Sequence, residues 1–265
     1  IFTTFKKGKT FMAEYIHASG GPIFHIGRYI LMIKRCFTRP ERAAMYWKET
    51  LRQMSNIGVG SVMIIILISF FIGAVSAVQF AYNLSGSMVP MYYVGYVVKE
   101  SLILELAPTI SGLILAGKVG SNLSSELGTM RLTEQIDALE IMGVNTISYL
   151  IGPKLAAAIT MIPILVVISA ITGIFGGLVA GDLTGYVSSV DFTQGILMNF
   201  VAKNIYIMLT KAAVFGFLLT SISCYQGFYA YGSSIEIGKA STRAVVLSSI
   251  MVLIADFVLA WLLLN

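Results

Sequence analysis

The chain alternates long stretches that carry no charged residue with short polar segments. No charge occurs in the 46 residues between Arg52 and Lys99, or in the 27 residues between Lys154 and Asp182. A helix rises about 1.5 Å per residue, so roughly 20 apolar residues cross the roughly 30 Å hydrocarbon core of a bilayer. The pattern predicts an all-α integral membrane protein with five transmembrane helices, at about residues 57–82, 91–117, 155–181, 195–224 and 244–264.

Two amphipathic segments precede the first predicted span, and both are too short to cross a membrane. Each has a proline where a first helical turn would begin, Pro22 and Pro40. Apolar residues recur at helical spacing beside basic residues, with Ile23, Ile26, Ile30 and Ile33 in the first segment and Trp47, Leu51 and Met54 in the second. We predict interfacial helices over residues 1–55 and a five-span domain over residues 56–265. Packing of this arm against another protein is the alternative.

Composition and charge support this division. Charged residues make up 12% of the chain, where soluble domains have roughly 25%, which excludes a water-soluble globule. Ten of the 18 Lys and Arg residues lie in the first 52 positions, and two each in segments 118–144 and 225–243. Loops 83–90 and 182–194 have none, so the positive-inside rule predicts a cytoplasmic N-terminus and an external C-terminus. The net charge of +5 therefore indicates a membrane surface and no nucleic acid.

Several charged residues interrupt the predicted spans. Glu105 lies in the second, Lys211 in the fourth and Asp256 in the fifth. A charge near the bilayer centre costs about 3 kcal/mol unless it is paired or faces water. These residues predict a polar cavity or a gating ion pair. The alternatives are a structural pair that fixes helix register and contact with lipid headgroups through snorkelling.

A stripe of glycines runs along the third predicted span. Gly173, Gly177 and Gly181 recur every fourth residue on one helix face. This spacing lets helix backbones approach closely. It predicts packing, either inside the bundle or at the seam of a dimer.

The motifs of an enzyme are weak or missing. The segment Gly8-Lys9-Thr10 lacks the glycine five positions before Gly8 that a phosphate-binding loop requires, so we expect no ATPase site in this chain. His17 and His25 are the two histidines and have no zinc-binding pattern, so no metal site is expected. Cys36 and Cys224 are predicted to be packing thiols without a disulfide, near the same membrane face.

The polar segment 118–144 predicts a short helix. Thr133 is its expected N-cap, Glu134 its first-turn acid and Gly143 its end. Three residues, Ala138, Leu139 and Met142, form an apolar edge, leaving Glu134, Asp137 and Glu140 for another face. A cytoplasmic docking helix and an ordinary solvated surface helix both fit this pattern.

Four motifs carry a family resemblance. They are Glu105-Leu-Ala-Pro108, Ala116-Gly-Lys-Val-Gly-Ser121, Glu126-Leu-Gly-Thr-Met130 and Thr133-Glu-Gln-Ile-Asp-Ala-Leu-Glu-Ile-Met-Gly143. With residues 211–215, 238–246 and 256–257, they make the chain resemble the MlaE/YrbE family over roughly residues 50–265. This family comprises permeases of ABC transporters that work with MCE proteins. Its usual Arg-Glu-Leu-Gly-Pro motif is altered here, because Leu104 replaces the arginine and Ala107 the glycine.

The resemblance implies a homodimeric permease in the bacterial inner membrane. Its expected partners are a cytoplasmic ABC ATPase (MlaF-like) that binds the ATP, a periplasmic MCE protein (MlaD-like) and a small ATPase-associated regulator (MlaB-like). A coupling helix in loop 118–144 would dock on the ATPase, and the cargo would be phospholipid or a related hydrophobic molecule moving between the inner membrane and the MCE protein. The chain itself is then expected to bind no cofactor.

Two groups of site residues follow. We expect the substrate cavity to involve Val75, Gln79, Tyr82, Glu105, Lys211 and Asp256, and the ATPase contact to involve Glu126, Arg131, Glu134, Asp137 and Glu140. The main alternative is an ion-coupled carrier that uses Glu105 and Asp256 as proton or cation sites. A membrane enzyme acting on lipids is disfavoured because no nucleophile–base pair is recognisable.

Overall fold

A computed structural model describes residues 21–36, 43–86 and 88–264, and every regular element in these ranges is a helix. Segment Gly8–Thr10, His17, Pro40 and Arg42 lie outside the described residues. The helices are α1 Pro22–Cys36, α2 Ala43–Met54, α3 Gly60–Leu84, α4 Tyr92–Ser101, α5 Ala107–Leu115, α6 Ser121–Leu132, α7 Gln135–Ile141, α8 Thr146–Thr184, α9 Ser189–Leu197, α10 Ala202–Phe228 and α11 Ser234–Leu264.

Three π-helical turns join some of these elements into longer helices. They are Ser55–Val59 between α2 and α3, Leu102–Leu106 between α4 and α5, and Ala116–Gly120 between α5 and α6. Within the described residues, five helices are long and apolar enough to cross a membrane: span 1 Tyr46–Leu84, span 2 Tyr92–Leu132, span 3 Thr146–Thr184, span 4 Ala202–Phe228 and span 5 Ser234–Leu263. The prediction of an all-helical, five-span membrane protein is confirmed.

The second span is longer than its polar sequence suggests. Residues 118–132 were predicted to form part of a loop, but they continue the helix through α6. Leu123 and Leu127 are buried, and α6 packs against α10 and α11. Segment 118–144 is therefore mostly the end of a span, because Leu123 and Leu127, four residues apart, are buried while Ser125 and Glu126 between them face outward.

The predicted bounds of three other spans also need correction. Span 3 begins at Thr146, where the Asn145 side chain accepts the Ser148 N–H at 3.4 Å. Residues 195–201 do not belong to span 4, since α9 ends at Leu197 and Asn199 adopts a left-handed φ of 44° before α10 starts. Span 5 begins at Ser234, so the loop predicted over 225–243 is confined to residues 229–233.

The two N-terminal amphipathic segments differ from each other. Helix α2 runs into α3 through the first π-turn, so the predicted second interfacial helix is the N-terminal extension of span 1. Residue 55 consequently lies inside a continuous helix. Helix α1 is separate, and it begins at Pro22 as predicted.

Helix α1 lies against the bundle through one face. The Tyr29 hydroxyl contacts Ser221 Oγ at 2.7 Å, and the Arg28 guanidinium stacks 3.7 Å from the Tyr229 ring centre. Ile33 packs against the core, whereas Ile23, Ile26 and Ile30 are exposed. We call this end of the bundle, which carries α1, α7 and residues 229–233, the N-terminal end.

Span 3 makes the most extensive packing contact, with span 1, and also packs against span 4. Two glycines of its stripe form the seam with span 1: Gly173 lies against Gly73 and the Ser69 carbonyl, and Gly177 against Gly73 and Ala77. The third, Gly181, lies against Val187. Ser69 and Ser169 share a 2.7 Å hydrogen bond across the seam. Of the two alternatives, the stripe therefore serves packing inside the bundle.

The two cysteines are free and buried, as predicted. Burial raises the pKa of the Cys36 thiol to about 11. The thiolate, which is the reactive form, is therefore rare at neutral pH. Both side chains act as small apolar packing groups.

The glycine seam gives a direct stability test. A Cβ on Gly73 would overlap the carbonyl group of Gly173, whereas a Cβ on Gly60 in the same helix would meet nothing within 4 Å. We expect Gly73→Ala to lower thermal stability in detergent, with a free-energy cost of about 1–3 kcal/mol from overpacking. Gly60→Ala is the matched control and should be neutral or slightly stabilising. Equal melting temperatures for the two variants would contradict the seam.

Candidate functional site

A cluster of three charged side chains joins spans 2, 4 and 5. The Lys211 ammonium lies 2.7 Å from Glu105 Oε2 and 2.8 Å from Asp256 Oδ1. It also donates to the Leu104 carbonyl at 3.1 Å. Three acceptor groups therefore surround the ammonium: Glu105 and the Leu104 carbonyl accept hydrogen bonds from it, and Asp256 Oδ1 forms an ion pair with it without hydrogen-bond geometry. That matters because the Lys211 side chain is only 1% exposed.

Local sequence explains how span 2 presents two of these acceptors. Pro108 has no N–H, so it cannot supply the usual helical hydrogen bond to the carbonyl four residues earlier, which is that of Leu104. Glu105 lies in the π-turn Leu102–Leu106 directly before it. One turn further on, the Thr109 hydroxyl donates to Asp256 Oδ2 at 2.9 Å. The sequence from Leu104 to Thr109 thus builds one wall of the cluster.

Exposure separates the roles of the two carboxylates. The Asp256 side chain is 9% exposed and has both oxygens engaged, by Lys211 and Thr109. The Glu105 side chain is 49% exposed, although one of its oxygens contacts Lys211. The cluster therefore presents one reachable carboxylate, Glu105, and buries the rest of its charge. The formal charges of Glu105, Asp256 and Lys211 sum to one negative charge.

The other three predicted cavity residues form a different site. Val75, Gln79 and Tyr82 line an apolar groove of about 460 Å³ between span 1 and the end of span 3, together with Ala74, Val78, Ala180 and Tyr186. Neither Glu105 nor Lys211 nor Asp256 lines this groove. Within one subunit, the six predicted residues therefore form two separate groups of three. Sequence indicated their level along the spans but not the helix face on which they lie.

Arg131 organises the predicted coupling residues at the N-terminal end. Its guanidinium lies 2.8 Å from Asp137 and 3.9 Å from Glu140, and it also donates to the Tyr231 hydroxyl. These contacts fasten α7 to the end of span 2. Glu126 lies elsewhere and pairs with buried Lys154 at 2.5 Å.

The start of α7 differs from the prediction. Thr133 does not cap this helix, because its hydroxyl donates back to the Thr129 carbonyl at 2.9 Å and so closes α6. Glu134 is the residue before the first turn, with a left-handed φ of 59°. Two residues connect α6 to α7, and this sharp reversal requires a left-handed residue. Gly143, with φ of 81°, follows the end of α7 as predicted.

Helix α7 buries one apolar residue and exposes others. Ile136 faces the core, while Ile141 and Met142 are 87% and 69% exposed. Ala138 is exposed as predicted, but Leu139 is half-buried. The exposed apolar surface is therefore centred on Ile141 and Met142, which we call the α7 tip.

Sequence reasoning did not assign roles to several polar residues that the structure brings together. The Thr109 hydroxyl and the Leu104 carbonyl complete the charged cluster. The position of Thr109, four residues after Glu105 on one helix, could have indicated its role. At the opposite end, buried Lys99 donates to the Met198 carbonyl at 2.8 Å. Glu100 accepts a hydrogen bond from Asn204. These contacts hold α9 and the start of span 4.

Comparison with known proteins places these sites in one family. Residues 50–262 match the family described as Permease MlaE. The chain belongs to the MlaE permease family. The match spans the charged cluster, the groove and α7.

Several MlaE-family relatives align over most of their length. A probable ABC transporter permease protein of Rickettsia bellii is 35% identical over 88% of this chain and 90% of its own. The Haemophilus influenzae protein named intermembrane phospholipid transport system permease protein MlaE is 34% identical, with the same coverage. The Arabidopsis thaliana chloroplast protein named trigalactosyldiacylglycerol 1 is 30% identical over 83% of this chain and 62% of its own.

The charged cluster predicts unequal costs for removing its members. Lys211→Met leaves the buried Asp256 carboxylate without its counter-charge and should lower the free energy of unfolding by about 3–5 kcal/mol. Lys239→Met is the matched control: Lys239 pairs with Glu236 on the surface, and its loss should cost less than about 1 kcal/mol. Thermal unfolding of the purified variants in detergent measures both. Equal costs would contradict a structural role for the buried ammonium.

Proposed function

We propose that this chain is the permease subunit of an ABC transporter that moves phospholipid or a related hydrophobic molecule. In this proposal the energy comes from a separate ATPase, and this chain binds no nucleotide. The observation that carries it is the apolar groove on span 1, an acyl-chain-sized surface in a chain of the MlaE family. The name of the Haemophilus influenzae relative, an intermembrane phospholipid transport permease, supports this class of cargo.

In the proposed transporter two copies of the chain enclose the cargo path. Acyl chains would lie against Val75 and Tyr82, both exposed, while Gln79 offers a polar contact. Glu105 would provide the reachable charge of the path, with Lys211 and Asp256 holding it in position. Burying a hydrocarbon tail against apolar side chains would contribute about 0.8 kcal/mol per CH₂ group.

The proposed orientation follows the distribution of basic residues. The N-terminus would be cytoplasmic and the C-terminus periplasmic, in the bacterial inner membrane. Exposed Ile23, Ile26 and Ile30 would place α1 in the membrane interface, and the permease domain would begin with span 1 at Tyr46 instead of at residue 56. A periplasmic MCE protein would then exchange lipid with the permease at the opposite end.

Coupling is assigned to α7 in this scheme. The exposed Ile141 and Met142 side chains would fit an apolar pocket of the ATPase, while the ion pairs of Arg131 with Asp137 and Glu140 would transmit its movement to span 2. A partner can shift a conformational equilibrium only if it prefers one state. The ATPase must therefore hold α7 differently with and without ATP.

The ion-coupled carrier is less well supported by the geometry. Its two proposed ion-binding carboxylates are Glu105 and Asp256. Both Asp256 oxygens are already engaged within the chain and its side chain is 9% exposed. A cation entering there would have to displace Lys211.

Groove filling tests the cargo path. We expect Val75→Trp to reduce ATP-driven transfer of a fluorescent phospholipid at least fivefold, because the indole would occupy much of the groove. Transfer would be measured from proteoliposomes that contain the permease with its ATPase and MCE partners to acceptor vesicles. Val190→Trp, at an equally exposed position on α9, is the control and should transfer normally. Normal transfer by both variants would contradict the assignment of the groove.

The α7 tip gives a test of coupling. Ile141→Asp should abolish stable co-purification of the ATPase, because it places a charge in the proposed apolar contact. The permease itself should remain in the membrane with an unchanged melting temperature, since Ile141 is exposed. Gln135→Asp, on the exposed start of the same helix, is the control for added charge. Full ATPase recovery with Ile141→Asp would overturn this docking role.

A further inference from the structure

A polar pocket outside the charged cluster and the groove lies where spans 1, 2 and 5 meet. Its cavity is about 530 Å³. Basic, hydroxyl and amide side chains line it, including Lys118, Asn56, Asn122, Ser61, Ser125 and Ser241. Along span 2, Lys118 is 13 residues beyond Glu105, or about 20 Å at the helical rise of 1.5 Å. The pocket is therefore separate from the proposed cargo contacts.

The pocket contains donors that the fold leaves available. Ser61 is completely buried and its Oγ has no hydrogen-bond partner, yet it lines the cavity. Lys118 is exposed and donates one hydrogen bond to the Gly60 carbonyl. Because an ammonium has three N–H donors, two remain for a ligand.

The charge balance of the pocket favours an anion. Glu126 is the one carboxylate among the residues that line it, and Lys154 neutralises that carboxylate at 2.5 Å. Glu49 is close to the lining residue Gln53 but accepts its amide N–H and also pairs with Arg52. Lys118, Lys154 and Glu126 together leave one positive charge. Ammonium, hydroxyl and amide donors around one positive charge suit a phosphate group.

The surroundings of the pocket indicate that such a phosphate belongs to a lipid. Gln53 and Asn56 lie within the first four residues of the uncharged run of span 1, which follows Arg52, and exposed Trp47 precedes Arg52 by five residues. Tryptophan and basic residues at a span end are typical of the headgroup level of a membrane. Val59 and Met63, exposed on the apolar side of the same helix, could carry the acyl chains.

We propose that this pocket binds the phosphate headgroup of a phospholipid in the leaflet at the N-terminal end of the bundle. It is a second lipid site, in addition to the groove near the opposite end of span 1. The proposal rests on the proposed function only in taking a membrane lipid as ligand. Lys118 and Ser61 contact the phosphate, and Asn56 and Asn122 complete the donor set.

Equilibrium binding to the purified full-length permease tests this site without the ATPase. The probe is dihexanoyl phosphatidylglycerol, titrated calorimetrically into the protein in a neutral detergent. Lys118→Gln should weaken its affinity about tenfold, the usual effect of one charge-assisted hydrogen bond. Ser61→Ala should weaken it about threefold, a smaller effect because the donor is neutral. Lys118→Arg should retain most of the affinity, and unchanged melting temperatures would show that the variants are folded.

Two further ligands and one control variant make the result decisive. Lys48→Gln removes an equally positive, exposed residue from the same end and should leave the affinity unchanged. Dihexanoylglycerol, which has the same tails and no phosphate, should bind more weakly and without dependence on Lys118. Inorganic phosphate that bound as tightly as the lipid would overturn the lipid assignment. Equal effects of Lys48→Gln and Lys118→Gln would overturn the site itself.

The outcome is independent of the transport assay. If Lys118 dependence is absent while ATP-driven transfer is intact, this inference fails and the proposed function stands. If transfer fails in the assembled system while phosphatidylglycerol still binds through Lys118, the pocket stands and the proposed function fails.

Discussion

A positive charge inside a membrane bundle must find acceptors within the protein, and the arrangement around Lys211 meets this requirement. Its ammonium is almost completely buried and reaches two carboxylates and one backbone carbonyl. Because these acceptors come from spans 2 and 5, the position of span 4 is tied to both. Pro108 has no N–H to donate to the Leu104 carbonyl, and Glu105 lies in the π-turn directly before this proline. The half-exposed Glu105 is thus a consequence of how the buried charge is neutralised.

Small residues provide the other constraint on the bundle. In a lipid solvent, helices gain little from burying apolar surface against each other, so close backbone contact and interhelical hydrogen bonds must hold them together. The seam between spans 1 and 3 has both, in its paired glycines and in the bond between Ser69 and Ser169. The apolar groove lies beside this seam, between span 1 and the end of span 3.

The number of spans and their helical nature could be predicted from the sequence, because each span needs an apolar run long enough to cross the bilayer. The residues at which the spans begin and end could not be predicted in the same way. Residues 121–132 read as a loop by charge, yet packing of Leu123 and Leu127 against other spans makes them helical. Thr133 has the composition of an N-cap, but its hydroxyl closes the preceding helix instead. At Leu123 and Leu127 tertiary contacts overrode a local preference, whereas at Thr133 one local hydrogen bond replaced another.

Side-chain pairing was also only partly accessible from the sequence. The cost of burying charge marked Glu105, Lys211 and Asp256 as candidates for pairing. Their actual pairing and order of exposure depend on helix rotation, which a single sequence does not encode. The same limitation applied to Val75, Gln79 and Tyr82, which lie on a face of span 1 away from the charged cluster. The ion pairs of Arg131 with Asp137 and Glu140 depend on the chain reversal at Glu134, which is a backbone feature without a clear sequence signal.

The most direct test of the account is a cryo-electron microscopy map of the permease assembled with its ATPase in a phospholipid nanodisc. The account predicts two copies of this chain whose Glu105 carboxylates face one shared cavity, lipid density along Val75 and Tyr82, and Ile141 buried in the ATPase. A map in which Glu105 packs against protein on all sides, with the α7 tip facing solvent, would contradict it.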